Sequence, residues 1–144
     1  MHYLNSIKSE LDCEVVAIPE THEGLPVTSI GAYALSNATN MTTLSAPFIT
    51  KIEDGACTYC TNLNKLHLSN NLETIGDMAF YGCSGLVDFI MPDSVTSIGQ
   101  YVFADCENLE SISLSNTLVS IPDYAFFRCN KLEDVVFNDG IKTI

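Results

Sequence analysis

Six cysteines and three histidines are the residues of this sequence best suited to bind a metal or attack a substrate. Cys57 and Cys60 form a C-x-x-C pair, a spacing that metal and disulfide sites use. A structural zinc site needs about four ligands, and the sequence offers no second pair at a suitable spacing. His67 lies one strand away, while His2 and His22 stand near no candidate nucleophile. We therefore expect no metal, no cofactor and no catalytic set, and a non-enzymatic protein.

Four of the cysteines belong to a regular repeat. They recur every 23 residues, at Cys60, Cys83, Cys106 and Cys129. An isoleucine recurs after 22 residues and then every 23, at Ile30, Ile52, Ile75, Ile98, Ile121 and Ile144. A fixed period of about 20 to 30 residues is typical of a solenoid, whose coils bury their apolar sides against each other. Stacked identical positions point their side chains in parallel, so we interpret this column as buried free thiols rather than disulfides.

Each repeat contains the same elements. It carries L-x-x-I-x-L, as in Leu109-x-x-Ile112-x-Leu114, whose last two apolar residues alternate as on one face of a strand. A turn residue, a V-T-S-I-G segment and a segment such as Q-Y-V-F follow, and we predict that this last segment is one short helical turn. The pattern predicts an α/β, right-handed solenoid of about 23 residues per coil. Short parallel strands should line its concave face and helical turns its convex face.

We expect a single domain over residues 1–144. Residues 1–26 form an irregular amino-terminal lead-in, and residues 27–144 form the repeats, with a truncated last coil at Ile144. A natural solenoid ends in a polar capping coil, so we interpret the chain as a fragment of a longer protein. The uncapped last coil leads us to expect end-to-end self-association.

The charge of the chain excludes two classes of partner. The net charge is −12, with only six Lys plus Arg residues. Nucleic acids and anionic lipid surfaces both require clustered cations, so neither is an expected partner. No stretch reaches the roughly 18 apolar residues that a membrane span needs. We therefore predict no nucleic-acid binding and no direct membrane insertion.

The motif V-T-S-I-G-x-x-x-F-x-x-C-x-x-L-x-x-I-x-L, seen at residues 95–114, resembles the BspA-type leucine-rich repeat. The opening segment from Ile18, I-P-x-x-x-x-G-x-P-V-T-S-I-G, also resembles the usual entry segment of that family. The resemblance implies a leucine-rich-repeat solenoid. It also implies a surface or secreted protein that adheres to host, matrix or cell-surface proteins.

A binding role would have to come from the variable positions of the strands. Framework residues are buried, so the residues between them are free to contact a partner. Our candidate protein-binding residues are Lys65, His67, Val87, Asp88, Ile90, Glu110, Ser111, Ser113 and Asp134. They combine an apolar spot with charged neighbours, which is typical of protein-binding surfaces. The alternative is a structural spacer or stalk segment with no ligand of its own.

Overall fold

The structure, a computed structural model, describes residues 13–144, so His2 and the start of the lead-in lie outside the described residues. The described chain consists of short β-strands joined by turns, and two kinds of strand recur along the solenoid. In chain order the strands are β1 (Val15–Ala17), β2 (Thr21–His22), β3 (Leu25–Pro26), β4 (Ser29–Ile30), β5 (Thr43–Ala46), β6 (Lys51–Ile52), β7 (Lys65–Leu68), β8 (Thr74–Ile75), β9 (Asp88–Ile90), β10 (Ser97–Ile98), β11 (Ser111–Ser113) and β12 (Asp134–Val136).

The L-x-x-I-x-L segments form parallel strands, as predicted. β1, β5 and β7 make one three-stranded sheet, and β9, β11 and β12 make another. Alternate side chains of these strands enter the core, as Leu44 and Ile112 do with 0% and 1% exposure. The intervening side chains project to solvent, because successive residues of a strand point to opposite faces. We call the solvent-facing surface of these six strands the strand face.

The V-T-S-I-G segments form a second parallel sheet along another side of the coils. Strands β4, β6, β8 and β10 pair in register without a break. A bridge between Ser120 and Thr143 continues the pattern into the last coil. The isoleucine column from Ile30 to Ile121 is buried, with exposures between 0% and 8%. This column is therefore a continuous apolar spine shared by neighbouring coils.

Part of the predicted lead-in is ordered into strands. β1 pairs with β5, with Val16 opposite Leu44, so the strand face begins before residue 27. Strands β2 and β3 form an antiparallel hairpin. Its turn contains Glu23 and Gly24, both with positive φ, a conformation that favours glycine.

The prediction of helical turns is wrong. Within residues 13–144 there is no helix, and the third side of each coil consists of turns at 32–37, 54–59, 77–82, 100–105 and 123–128. In the first segment Ala34 donates its N–H three residues back, to the Gly31 carbonyl at 3.1 Å. Its neighbour Leu35 instead donates to Ala56 of the next coil, at 2.8 Å. In an α-helix both N–H groups would bond to carbonyls of the same segment. Here successive N–H groups alternate between a local carbonyl and a carbonyl of the next coil, so the segment is not helical. We call this surface the turn face.

Left-handed residues accompany the alternation. Each turn segment contains two residues with positive φ, four positions apart, such as Tyr101 at 54° and Asp105 at 57°. Both of these residues donate their N–H groups to the next coil, to Asp123 and Phe127. At Gly82, which also has positive φ, the ring of Tyr59 lies against the place where a Cβ would stand. The turn face is thus a third ladder of hydrogen bonds between coils.

Aromatic rings fill the centre of the solenoid. Phe80, Phe103 and Phe126 occupy the same position in successive coils and stack nearly parallel, with centroids 5.6 and 5.7 Å apart. Phe89 of β9 packs across this stack, 5.5 Å from Phe80 and 4.8 Å from Phe103. Phe80 and Phe103 are fully buried. Stacked aromatic pairs stabilise a core beyond the area that they bury.

Candidate protein-binding face

The nine predicted binding residues lie on the strand face or directly before its strands. Strand pairing aligns Asp88, Ser111 and Asp134 in one column, and Ile90 with Ser113 in the next. Ser111 and Ser113 are half-buried, whereas the other seven candidate residues are exposed.

The nine residues are divided between two sheets. Lys65 and His67 lie on β7, in the first sheet, while the strand residues among the other seven belong to the second sheet. Val87 and Glu110 directly precede strands β9 and β11. The candidate face therefore crosses a break in strand pairing, which the regular spacing of the repeat does not suggest.

The strand face has an apolar centre. The side chain of Ile90 is 81% exposed, an unusual state for a large aliphatic residue within a sheet, and Val87 is 46% exposed. Val136, which we did not include among the candidates, is 60% exposed and lies on the other side of Ser113 from Ile90. Val136 could have been predicted, because it occupies a variable position of its strand. The strand face thus carries a broader apolar surface than predicted.

A cleft of about 410 Å³ opens where the two sheets meet, between β7 and β9. It contains His67, Asp88 and Ile90 from the predicted set. Sequence reasoning missed its other lining residues, which are Asn64, Leu66, Leu68, Asn70, Leu86, Phe89 and Pro92. A volume of this size lies within the range of ligand-binding pockets, roughly 300–1,000 Å³. The cleft is a concavity on the strand face that joins apolar walls to charged groups.

The cysteine column is a hydrogen-bonded element of the core. The Cys106 thiol donates to the Phe80 carbonyl, in the preceding coil, at 3.2 Å, and the Cys129 thiol donates to the Phe103 carbonyl at 3.0 Å. Cys60 and Cys83 make equivalent bonds. All six cysteines are free; Cys57 and the first three of the column are buried, Cys129 is half-buried and Cys13 is exposed. The interpretation of the column as buried free thiols is confirmed, except that Cys129 is only partly covered.

The surroundings of these thiols oppose ionisation at most positions. Burial raises the pKa of Cys83 and Cys106 well above the ordinary value, and raises that of Cys129 to about 11. In the C-x-x-C pair, the hydrogen bond between the two thiols lowers the pKa of Cys60 and raises that of Cys57. Thiols that stay protonated are poor nucleophiles and poor metal ligands. The column therefore acts structurally.

A second cleft, of about 260 Å³, lies on the turn face. Its charged groups pair with each other: the Arg128 Nε lies 3.3 Å from the Asp105 Oδ1. This contact meets the distance of an ion pair but not the geometry of a hydrogen bond, since the same oxygen has no hydrogen-bond partner. A hydrogen bond with Asp105 raises the pKa of Tyr81 above its usual range. Because Arg128 and Asp105 already pair with each other, we assign this cleft no ligand.

Two kinds of feature are absent from the described residues. Among residues 13–144, no group of three or more His, Cys, Asp or Glu side chains is placed to hold a metal ion. The same residues contain no helix with the length and apolar character to cross a membrane.

Several solved structures are similar to this chain. A leucine-rich repeat protein of T. pallidum is 24% identical with a TM-score of 0.70, over 92% of this chain and 73% of that one, and it shows the fold alone. A leucine-rich cell surface protein of Faecalibacterium prausnitzii is 31% identical with a TM-score of 0.78, over 89% of this chain and 36% of that one. The pneumococcal vaccine antigen PcpA is 25% identical with a TM-score of 0.70, over 90% of this chain and 29% of that one.

The chain thus spans about a third of the length of the two longer proteins. No protein of curated function is detectably similar to it in sequence. The family profile described as the BspA type leucine-rich repeat region matches residues 26–144 in 6 copies. The matched residues contain the buried isoleucine and cysteine columns of the structure. This chain belongs to the BspA-type leucine-rich repeat family.

Proposed function

We propose that this chain is a non-enzymatic protein-binding module that contacts its partner through the strand face around Ile90. The observation that carries the proposal is the 81% exposure of Ile90 on β9, the edge strand of a solvent-facing sheet. Val87 lies beside it, and Asp88, Glu110 and Asp134 surround the apolar centre with carboxylates. An apolar centre with a charged rim is the usual composition of a protein interface.

The family supplies the setting of this proposal. One similar structure is a cell surface protein and another is a vaccine antigen. We place this chain likewise outside the cell or on its surface, with a host, matrix or cell-surface protein as its partner. The net charge of −12 favours a partner with a basic surface over nucleic acid or anionic lipid.

A structural spacer is the second candidate. Unbroken hydrogen bonding along the turn face and the β4–β6–β8–β10 sheet favours it, because both ladders tie neighbouring coils together. A spacer would bind no protein saturably, and its strand face would tolerate substitution without functional loss.

The last coil supports a further part of the proposal, end-to-end self-association. Phe137 and Ile144 are 51% and 84% exposed. Apolar side chains at the end of a stack can pack against a second molecule. Sedimentation velocity should show a mass that increases with protein concentration. A constant monomer mass, equal to that of a Phe137→Glu variant, would rule this association out.

The test of the strand face is a screen of extracellular and matrix proteins with two matched variants. Ile90→Lys places a charge at the apolar centre, and Val119→Lys makes the same kind of change at a residue that is 51% exposed outside the strand face. Ile90→Lys should weaken binding at least about tenfold, roughly 1.4 kcal/mol, while Val119→Lys leaves it unchanged. Both variants should keep the melting temperature. A ligand that ignores Ile90 and responds to Val119 would refute the assignment.

A further inference from the structure

The break between β7 and β9 leaves two strand edges facing each other without pairing. In a parallel ladder, successive residues direct their backbone groups to opposite neighbours. Met91 donates to Ser113 at 2.9 Å and Ser111 donates to Val87 at 3.3 Å, so the odd-numbered residues of this segment face β11. Asp88 and Ile90 therefore direct their N–H and C=O groups toward β7.

The opposite edge follows by the same reasoning. Lys65 donates to Thr42 at 3.1 Å, so Lys65 and His67 face β5. Leu66 and Leu68 then direct their backbone groups toward β9. Within the described residues no strand pairing joins β7 to β9. Each edge thus presents donors and acceptors that the other junctions of the strand face satisfy internally.

The same two coils remain firmly joined elsewhere. Strands β8 and β10 pair in register. On the turn face, Phe80 donates to Val102 at 2.9 Å and Gly82 donates to Ala104 at 2.8 Å. The opening is therefore local to the strand face, and the cleft has a rigid base.

The side chain at position 89 distinguishes β9 from the other strands of this face. Its column contains aliphatic residues in the other coils, namely Val16, Leu44, Leu66, Ile112 and Val135. Phe89 is larger, and its ring lies between Phe80 and Phe103. Next to it, Leu66 and Leu68 are only half-buried, whereas the equivalent Leu44 and Ala46 are fully buried. The opening therefore leaves apolar walls beneath two free backbone edges.

An extended polypeptide matches both features. Its backbone offers the donors and acceptors that an unpaired strand edge requires. Its side chains alternate, so that one set can contact Leu66, Leu68 and Phe89 while the other faces the polar mouth. At the mouth, Asp88 and His67 lie within the lining of the cleft, and the Asp88 carboxylate together with the net charge of −12 favours a basic residue.

We propose that the cleft between β7 and β9 binds an extended segment of another protein, which pairs its backbone with the open edge of β9. This inference rests on the proposed function and specifies its partner: a strand that alternates apolar residues with polar or basic ones. Main-chain pairing supplies affinity, and the apolar walls select the side chains that enter.

The test selects binders from a displayed library of short peptides with an apolar residue at every second position. Isothermal titration calorimetry then measures the best-enriched peptide against the natural chain, Ile90→Pro and Ile90→Ala. Proline removes the N–H of Ile90, which faces β7 across the unpaired junction, whereas alanine keeps it and removes the side chain. Ile90→Pro should bind at least about tenfold more weakly than Ile90→Ala, with an unchanged melting temperature.

A second measurement is independent of how the variants fold. Replacing single amides of the selected peptide by esters removes one donor at a time, and alternate positions should lose affinity. An empty selection, or equal affinities for Ile90→Pro and Ile90→Ala, overturns strand docking. The proposed function is judged separately by the screen with Ile90→Lys, since binding through the Ile90 side chain alone would satisfy that screen and fail this test.

Discussion

The coils that contain β7 and β9 meet differently on the two faces of the solenoid. On the turn face, Met78, Phe80 and Gly82 donate to carbonyls of the next coil at 2.8–2.9 Å. On the strand face the same coils make no strand pairing, and a cleft of about 410 Å³ separates them. The same two coils are therefore joined by hydrogen bonds on the turn face and are unpaired on the strand face.

This difference distinguishes two kinds of position: those that hold neighbouring coils together, and those whose side chains can vary from coil to coil. Turn-face bonds are made by the backbone and by column residues such as Cys106, so they survive changes at variable positions. Strand-face pairing depends on how closely the side chains beneath allow two strands to approach. Each backbone hydrogen bond contributes only about 0.5–1.5 kcal/mol net. A short ladder can therefore be open at one junction without unfolding the coil.

The largest expected effect comes from the aromatic stack that joins the coils. Phe103→Ala removes a fully buried ring that contacts Phe80, Phe89 and Phe126, and should lower the free energy of unfolding by about 3–5 kcal/mol. Urea unfolding of both chains measures this. The matched change on the strand face, Ile90→Ala, should stay within about 0.5 kcal/mol. Equal losses at the two sites would show that the exposed face also supports the fold.

A smaller effect is expected in the cysteine column. Cys106→Ser replaces a thiol that donates to the Phe80 carbonyl with a more polar hydroxyl in an apolar setting, and should cost about 1–3 kcal/mol. Cys13→Ser, at an exposed position, should change stability little. Thermal unfolding of the two variants provides the comparison. A neutral Cys106→Ser would mean that the turn-face junction does not depend on this column.

The smallest effect is a dependence on alkaline pH. Burial raises the pKa of the Cys129 thiol from 9.0 to about 11, so the unfolded chain loses this proton at lower pH than the folded chain. The stability from this group is therefore complete below pH 9 and declines as the pH rises toward 11. Urea midpoints across that window should fall less steeply for Cys129→Ala than for the natural chain. If the urea midpoints of both proteins fall equally over this pH range, ionisation of Cys129 does not cause the alkaline loss of stability.

The repeat allowed prediction of the fold wherever a column keeps the same polarity in every coil. The strands around Ile112, the isoleucine spine and the buried thiols all follow from period and polarity. The turn face did not, because its alternation of local and inter-coil hydrogen bonds requires a neighbouring coil. A short segment such as Q-Y-V-F taken alone resembles a helical turn, and left-handed φ at Tyr101 has no signal in its residue type.

The candidate site could be predicted only in part. Exposure of Ile90 and Asp88 follows from their variable positions, so these residues were found. The cleft was missed because strand pairing at one junction depends on how two neighbouring coils pack, and Phe89, which lines the cleft, occupies an ordinary framework position in the repeat. The aliphatic column around it offered a signal: one aromatic residue among five aliphatic ones.

Site-resolved amide hydrogen exchange of the natural chain tests the central claim most directly. Ile90 and Met91 are adjacent, but Met91 donates to Ser113 at 2.9 Å while Ile90 faces the open cleft. Phe80 reports on the turn face of the same junction through its 2.9 Å bond to Val102. The structure predicts rapid exchange at Ile90 and slow exchange at Met91 and Phe80. Protection at Ile90 equal to that at Met91 would show that β7 and β9 are paired in solution, and would contradict the open strand face.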